Sequence, residues 1–287
     1  MKFWLLILSL ASTGCGLRHA ATGVPTATPR ATTAVRQSLA PTLESTDPKL
    51  RDAVLELAAV PGAASERRVA IEYRRLGVLD AASEHFAAAV KLEPKDAFSH
   101  DALARIWRDS GMPKIALDEA RRAVSSAPKS AAAANTLGTV FQALGEFDEA
   151  KRWYNRAAAL DPHAWYAVNN LCYAGILTRE PYAVLTCRRA LESAPDQDAQ
   201  VTRNNLALAH AAAGELQEAR QWFRHAAAKA TAEYNYGIVM MSTHAYREAE
   251  AAFQSALLAD PHSTLAATRA KQARLAALAE EHNYAGH

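Results

Sequence analysis

The sequence predicts an all-α protein: a solenoid of about six helix pairs with a capping helix at each end. Three observations predict it. Alanines recur at Ala82, Ala116, Ala150, Ala183, Ala219 and Ala249, in steps of 34, 34, 33, 36 and 30 residues. A second alanine series follows seven residues behind each of these, with Phe86, Ala120, Tyr154, Cys187, Phe223 and Phe253 midway between the two. Small and large residues thus alternate along one helix face at a fixed period, the signature of a repeat architecture. Glycines at 77, 111, 145 and 214 punctuate the middle of the repeats, and prolines at 94, 128, 162, 195 and 261 close them. Half of the residues are apolar but only 7% are aromatic, which suits closely packed, alanine-rich helices.

The elements follow in chain order. Residues 1–14 read as a signal peptide: one lysine, an apolar run from Phe3 to Ala11, then small residues. The run is too short to span a bilayer as a mature helix. The small residues lead directly into Cys15 and resemble the bacterial lipoprotein signal, in which that cysteine is lipidated and becomes the mature N-terminus. Ser12 stands where that signal usually has leucine. An ordinary signal peptide cut nearby, or at 21–23, is the alternative reading. Gly16 lacks the aspartate that retains some lipoproteins at the inner membrane. The resemblance therefore implies an exported lipoprotein of the cell membrane or outer membrane, facing the periplasm. Residues 15–46 are rich in Thr, Ala and Pro, have few charges and show no helical period. They cannot bury a core and are expected to form a flexible tether.

Residues 47–62 read as an amphipathic capping helix and 264–282 as its C-terminal counterpart, with Arg, Lys and Glu for its outer face; 283–287 read as a frayed tail. Between them lie repeats at about 63–96, 97–130, 131–164, 165–198, 199–229 and 230–263. The first helix of each carries a large–small pair: Val69–Ala70, Leu103–Ala104, Leu137–Gly138, Leu171–Cys172, Leu206–Ala207 and Tyr236–Gly237. "NTLGTVFQALGEFDEAKRWYNRAAALDP" (135–162) and "NNLALAHAAAGELQEARQWFRHA" (204–226) resemble the tetratricopeptide repeat (TPR) family at nearly every marked position. The resemblance spans about 63–263. It implies a right-handed superhelix whose first helices line a concave, peptide-binding groove. The superhelix is expected to be regular through repeat three and disturbed around 175–200 and 227–236, and three departures from the family pattern stand out. Repeat two has Pro113 in place of an aromatic or leucine, repeat four has "TREP" instead of a turn glycine, and repeat five lacks its closing proline.

The residues one and two before each pair leucine are expected to face that groove. They include Asn135, Asn169, Asn170, Asn204, Asn205 and Asn235. An asparagine amide offers donor and acceptor together and matches both groups of a peptide bond. The row therefore reads as a grip on extended peptides, with pairing between helices as the structural alternative. Arg67, Arg68, Arg74, Arg75, Arg105 and Arg108 share the first-helix faces near the N-terminal end. They read as a basic cluster for an acidic segment or anionic lipid, or as a solvated face. Cys172 and Cys187 fall on the two helices of one repeat and are expected to form a disulfide in an exported protein, or to fill the core as small residues.

The charge balance of 32 basic against 30 acidic residues argues against nucleic acid as partner. The ten histidines form no metal-ligand pattern, and no phosphate loop or nucleophile turn occurs. No cofactor, metal or small-molecule substrate is expected, and no enzyme. The combination of lipid signal, tether and repeats resembles bacterial lipoproteins that help assemble pili or secretion channels. The implied function is a scaffold for peptides or partner proteins. An adaptor presenting an envelope enzyme, such as a peptidoglycan hydrolase or protease, to its substrate is the alternative.

Overall fold

The computed structural model describes residues 46–285, and among them fourteen α-helices follow one another without a strand. They are α1 (Pro48–Ala59), α2 (Ala63–Arg75), α3 (Leu79–Leu92), α4 (Ala97–Asp109), α5 (Pro113–Ser126), α6 (Ala131–Ala143) and α7 (Phe147–Leu160). Then come α8 (Trp165–Thr178), α9 (Ala183–Ser193), α10 (Ala199–Ala212), α11 (Leu216–Ala226), α12 (Lys229–Ser242), α13 (Tyr246–Ala259) and α14 (Thr264–Ala285). The signal peptide, Cys15 and nearly all of the expected tether lie outside the described residues.

The helices fall into two compact units, α1–α7 and α8–α14. In the first, α1 packs on the pair α2–α3, followed by α4–α5 and α6–α7. In the second, the pairs are α8–α9, α10–α11 and α12–α13, and α14 closes on α13.

Local chemistry sets the helix starts. Asp47 caps α1 by accepting from the Leu50 amide at 2.9 Å. Asp96 caps α4 by accepting from the Phe98 and Ser99 amides, and Ser130 caps α6 by accepting from Ala133. Pro113 opens α5 at its first turn. There its missing N–H costs nothing, because that donor has no intrahelical partner anyway. Repeat two tolerates the substitution for this reason.

All six intra-repeat turns close with the same backbone bond. The amides of Val78, Met112, Glu146, Glu180, Glu215 and Ala245 donate to the carbonyls of Tyr73, Trp107, Phe141, Gly175, His210 and Met240 at 2.8–3.0 Å. The turn needs a left-handed residue. Glycine supplies it at 77, 111, 145 and 214, while Arg179 (φ 57°) and His244 (φ 62°) supply it in repeats four and six. The expected irregularity of repeat four is therefore not in its turn. The second helices α9 and α11 are instead cut to 11 residues, against 14 for α3, α5, α7 and α13.

The core is built from the alternating series. Phe86, Tyr154, Phe223 and Phe253 are buried, as are the alanines flanking them. A Cβ built on Gly138 would stand 2.6 Å from the Tyr154 ring, and one on Gly237 would stand 2.6 Å from the Phe253 ring. Glycine is what lets those rings seat. In repeat four the small position is Cys172 and the ring position is Cys187, and a disulfide joins them with Cα atoms 4.9 Å apart. A covalent bond there replaces the contact that a ring makes elsewhere.

The C-terminal end differs from the sequence expectation in two respects. The helix includes residues 283–285, which the sequence placed in the tail. Its packed stripe is alanine (Ala266, Ala273, Ala277), while Leu265, Leu275 and Leu278 are exposed beside the expected charges. Close approach to α13 leaves room for methyl groups, and the leucines turn outward.

Candidate functional site

In the second unit the asparagines stitch neighbouring first helices together. Asn205 Nδ2 donates to Asn169 Oδ1 at 2.9 Å, and Asn235 Nδ2 donates to Asn204 Oδ1 at 3.1 Å. One rule covers both bonds: the residue just before the pair position donates to the residue two before it in the preceding repeat. Asn169 and Asn205 are buried at 3% and 4% exposure, and Asn235 sits at the boundary at 9%. Asn170 and Asn204 are half-buried. In the first unit Asn135 is also buried, and Thr136 beside it accepts from Arg105 Nε at 3.1 Å.

This corrects the expected row of six groove-facing amides. Asn135, Asn169 and Asn205 are too enclosed to offer a whole amide to a ligand. Buried amides must find partners within the fold, and a neighbouring helix supplies one. The accessible amides on the second unit's first-helix face are Asn170 and Asn204. Tyr173, on the same helix as Asn170, is also enclosed: burial pushes its phenol up to about 12, and its hydroxyl has no hydrogen-bond partner among the described residues.

The arginine cluster is likewise not a free basic surface. Arg67 pairs with Asp96 at 2.8 Å and Arg68 with Glu56. Arg75 pairs with Asp47 and Glu72 at 2.6 Å, Arg105 with Asp101 at 2.9 Å, and Arg108 with Asp109 at 2.7 Å. Arg67 ties α2 to the cap of α4, Arg68 and Arg75 tie α2 to α1 and its cap, and Arg105 and Arg108 pair within α4. Arg74 differs: its guanidinium carbon lies 5.8 Å from the Phe86 ring centre and 6.0 Å from that of Phe98.

Sequence reasoning missed Glu233, which is wholly buried on α12. Its carboxylate accepts from Arg220 Nε and Nη2 at 3.2 and 2.7 Å, and from Arg224 Nε at 2.8 Å. Burial raises this carboxyl, but the two arginines more than offset it and hold it below its ordinary value of 4.5. The triad lies where repeat five lacks its closing proline, and it locks α11 to α12 across a two-residue connection. The available signal was a pair of arginines four apart on one helix, followed by a glutamate inside the next apolar stripe. Histidine–glutamate pairs recur too: His85 with Glu66 and His100 with Glu119, both at 2.6 Å and both 19 residues apart. His210 is buried against Glu215 at 2.5 Å. Among the described residues no group of three His, Cys, Asp or Glu is placed to hold a metal.

Two segments match models of the tetratricopeptide repeat, residues 131–164 and 201–237. Among solved structures, the chain is similar to the APC/C hetero-tetramer Cut9–Hcn1 (TM-score 0.64, 17% identity) over 84% of this chain and 49% of that one. It thus spans about half the length of that relative. It is also similar to PilW, described as a widely conserved type IV pilus biogenesis factor (TM-score 0.62, 20% identity, 72% of this chain and 97% of that one). A third similar structure is PilF of Pseudomonas aeruginosa (TM-score 0.57, 18% identity, 74% of this chain and 96% of that one). No curated protein matches the chain. At these identities the likeness establishes the fold: consecutive helix pairs of a TPR solenoid. That fold is one of protein–protein interaction scaffolds.

Proposed function

We propose that the protein is an exported, membrane-tethered TPR scaffold that binds extended peptide segments along the first-helix face of its second unit. The observation that carries this reading is the stitched asparagine series. The bonds Asn205–Asn169 and Asn235–Asn204 fix the amide of Asn204, and those of its neighbours Asn169, Asn205 and Asn235, before any ligand arrives. Amides fixed in this way lose little entropy on binding. Asn170 and Asn204 are the contact residues, each offering its amide to a peptide group of the segment. The apolar leader ending in Cys15 supports export and a lipid anchor. Similarity to PilW and PilF supports a place in pilus or secretion-system assembly.

The test is binding to an array of random twelve-residue peptides by wild type and by an Asn170→Ala/Asn204→Ala variant. Each lost hydrogen bond is worth about 0.5–1.5 kcal/mol, so the variant should bind about tenfold more weakly or worse. Asn204→Ala also removes the acceptor of Asn235, so that variant should lose about 1 kcal/mol of stability, whereas Asn170→Ala alone should weaken binding and leave the stitches Asn205–Asn169 and Asn235–Asn204 in place. Unchanged binding would sink the assignment. Incorporation of labelled palmitate in wild type but not in Cys15→Ala tests the anchor.

A further inference from the structure

The last helix carries its charges in an order that the helix itself does not favour. Residues 264–274 of α14 hold Arg269, Lys271 and Arg274 and no acid, while 275–282 hold Glu280 and Glu281 and no lysine or arginine. The helix dipole favours the reverse, acids in the first turn and bases in the last. The neighbouring α13 answers little of this: among the described residues, the ion pair between the two helices is Glu281 with Arg247. A helix lying antiparallel on α14 with the same charge order would meet it base to acid at both ends, with the two dipoles opposed.

The apolar side fits the same arrangement. Ala266, Ala273 and Ala277 are buried where α14 packs on α13. At 3.6 residues per turn, Leu275 falls on the opposite side of the helix from them, with Leu278 beside it just under a turn later. These leucines are 57% and 51% exposed. Arg274 and Glu281 share one flank of Leu278, two turns apart and too distant to pair with each other. A second α14 set antiparallel about a two-fold axis near residues 276–277 places each Leu275 against the partner's Leu278. The same axis brings each Arg274 to the partner's Glu281. One register thus satisfies leucines and charges together, and two-fold symmetry does so twice.

We propose that α14 is a dimerisation helix, through which two copies of this chain associate antiparallel. About three turns of helix bury less than the roughly 800 Å2 per partner of a standard interface, so the dimer is weak, with Kd of about 10–100 µM. The face shares no residue with the asparagine face and stands or falls separately from it.

Sedimentation equilibrium of the full chain from about 1 to 200 µM tests this, with Cys15→Ser in every sample so that no acyl chain drives association. The parent should pass from monomer to dimer over that range. Leu275→Glu should weaken the dimer by at least about tenfold, since it puts two carboxylates into the leucine cluster. Arg274→Glu and Glu281→Arg should each weaken it about three- to tenfold by setting like charges against each other at both ends. Mixed one to one, these two variants should form a heterodimer of parental strength, because every reversed charge then meets its opposite. Leu185→Glu, at a comparably exposed leucine on α9, should leave the dimer intact. Circular dichroism checks that each variant keeps its helices, and the charge-reversed pair decides the matter whether or not Leu275→Glu folds. A chain that stays monomeric to the highest concentration overturns the proposal. So does a dimer unchanged by Leu275→Glu, one lost in Leu185→Glu, or a charge-reversed pair that gains nothing on mixing. Capture of a different protein through Leu275 by a chain that stays monomeric gives the face another occupant and also overturns it.

Discussion

Replacing Glu233 by alanine should destabilise the second unit by about 2–3 kcal/mol. The carboxylate is wholly buried and accepts from both Arg220 and Arg224. Breaking a buried ion pair by removing one partner typically costs about 3–5 kcal/mol, because an uncompensated charge stays behind. Here the side chains left behind are 34% and 52% exposed, so water recovers part of their hydration and the cost falls below that range. Urea unfolding followed by circular dichroism measures the total, and hydrogen exchange at α11 and α12 localises it, since repeat arrays open locally. The pH dependence is a second check. The folded carboxyl lies below its ordinary value of 4.5, so its stabilisation is fully present above that value and is lost as pH falls through the lowered one. The gap between wild type and variant should hold constant at neutral pH and narrow once pH falls below the ordinary carboxyl value of 4.5. A variant within about 0.5 kcal/mol of wild type, or one more stable, would refute the reasoning, because the triad would then cost as much to bury as it returns.

Two further perturbations test the core. Reducing the Cys172–Cys187 disulfide, which closes a short loop within one repeat, should cost about 3 kcal/mol and lower the melting temperature; alkylatable thiols in unreduced protein would contradict the bridge. Gly138→Ala should destabilise by about 1–2 kcal/mol, because its Cβ meets the buried Tyr154 ring at 2.6 Å and that outweighs the gain in helix propensity. Gly175→Ala meets its nearest atom at 3.5 Å, so it should stabilise by about 0.5–1 kcal/mol on the same denaturation curve.

The helix pairs were legible because each repeat cannot bury its face alone, so the same small and large residues must return at one period. Turn closure was less legible. Glycine marks four turns, but Arg179 and His244 adopt the same left-handed conformation without announcing it. The asparagine row was half legible: its register marked which helix face it occupies, but not that amides on adjacent helices would satisfy one another. For the arginines, helical spacing placed the cations. Their acids come from 28 and 29 residues away for Arg75–Asp47 and Arg67–Asp96, a separation no local pattern reveals. Glu233 was hidden for a related reason. A glutamate on a helix usually faces water, and only Arg220 and Arg224 on the preceding helix make its burial tolerable.

The central claim is that peptides engage the second unit through Asn170 and Asn204. Side-chain amide resonances recorded during titration with an array-selected peptide test it most directly. The account predicts that the Asn170 and Asn204 NH2 signals shift together and saturably, while those of the more enclosed Asn169 and Asn205 move less. Shifts confined to the backbone amides of exposed Tyr182, which caps α9, and Leu185 within it, with the asparagine NH2 signals unmoved, would contradict it.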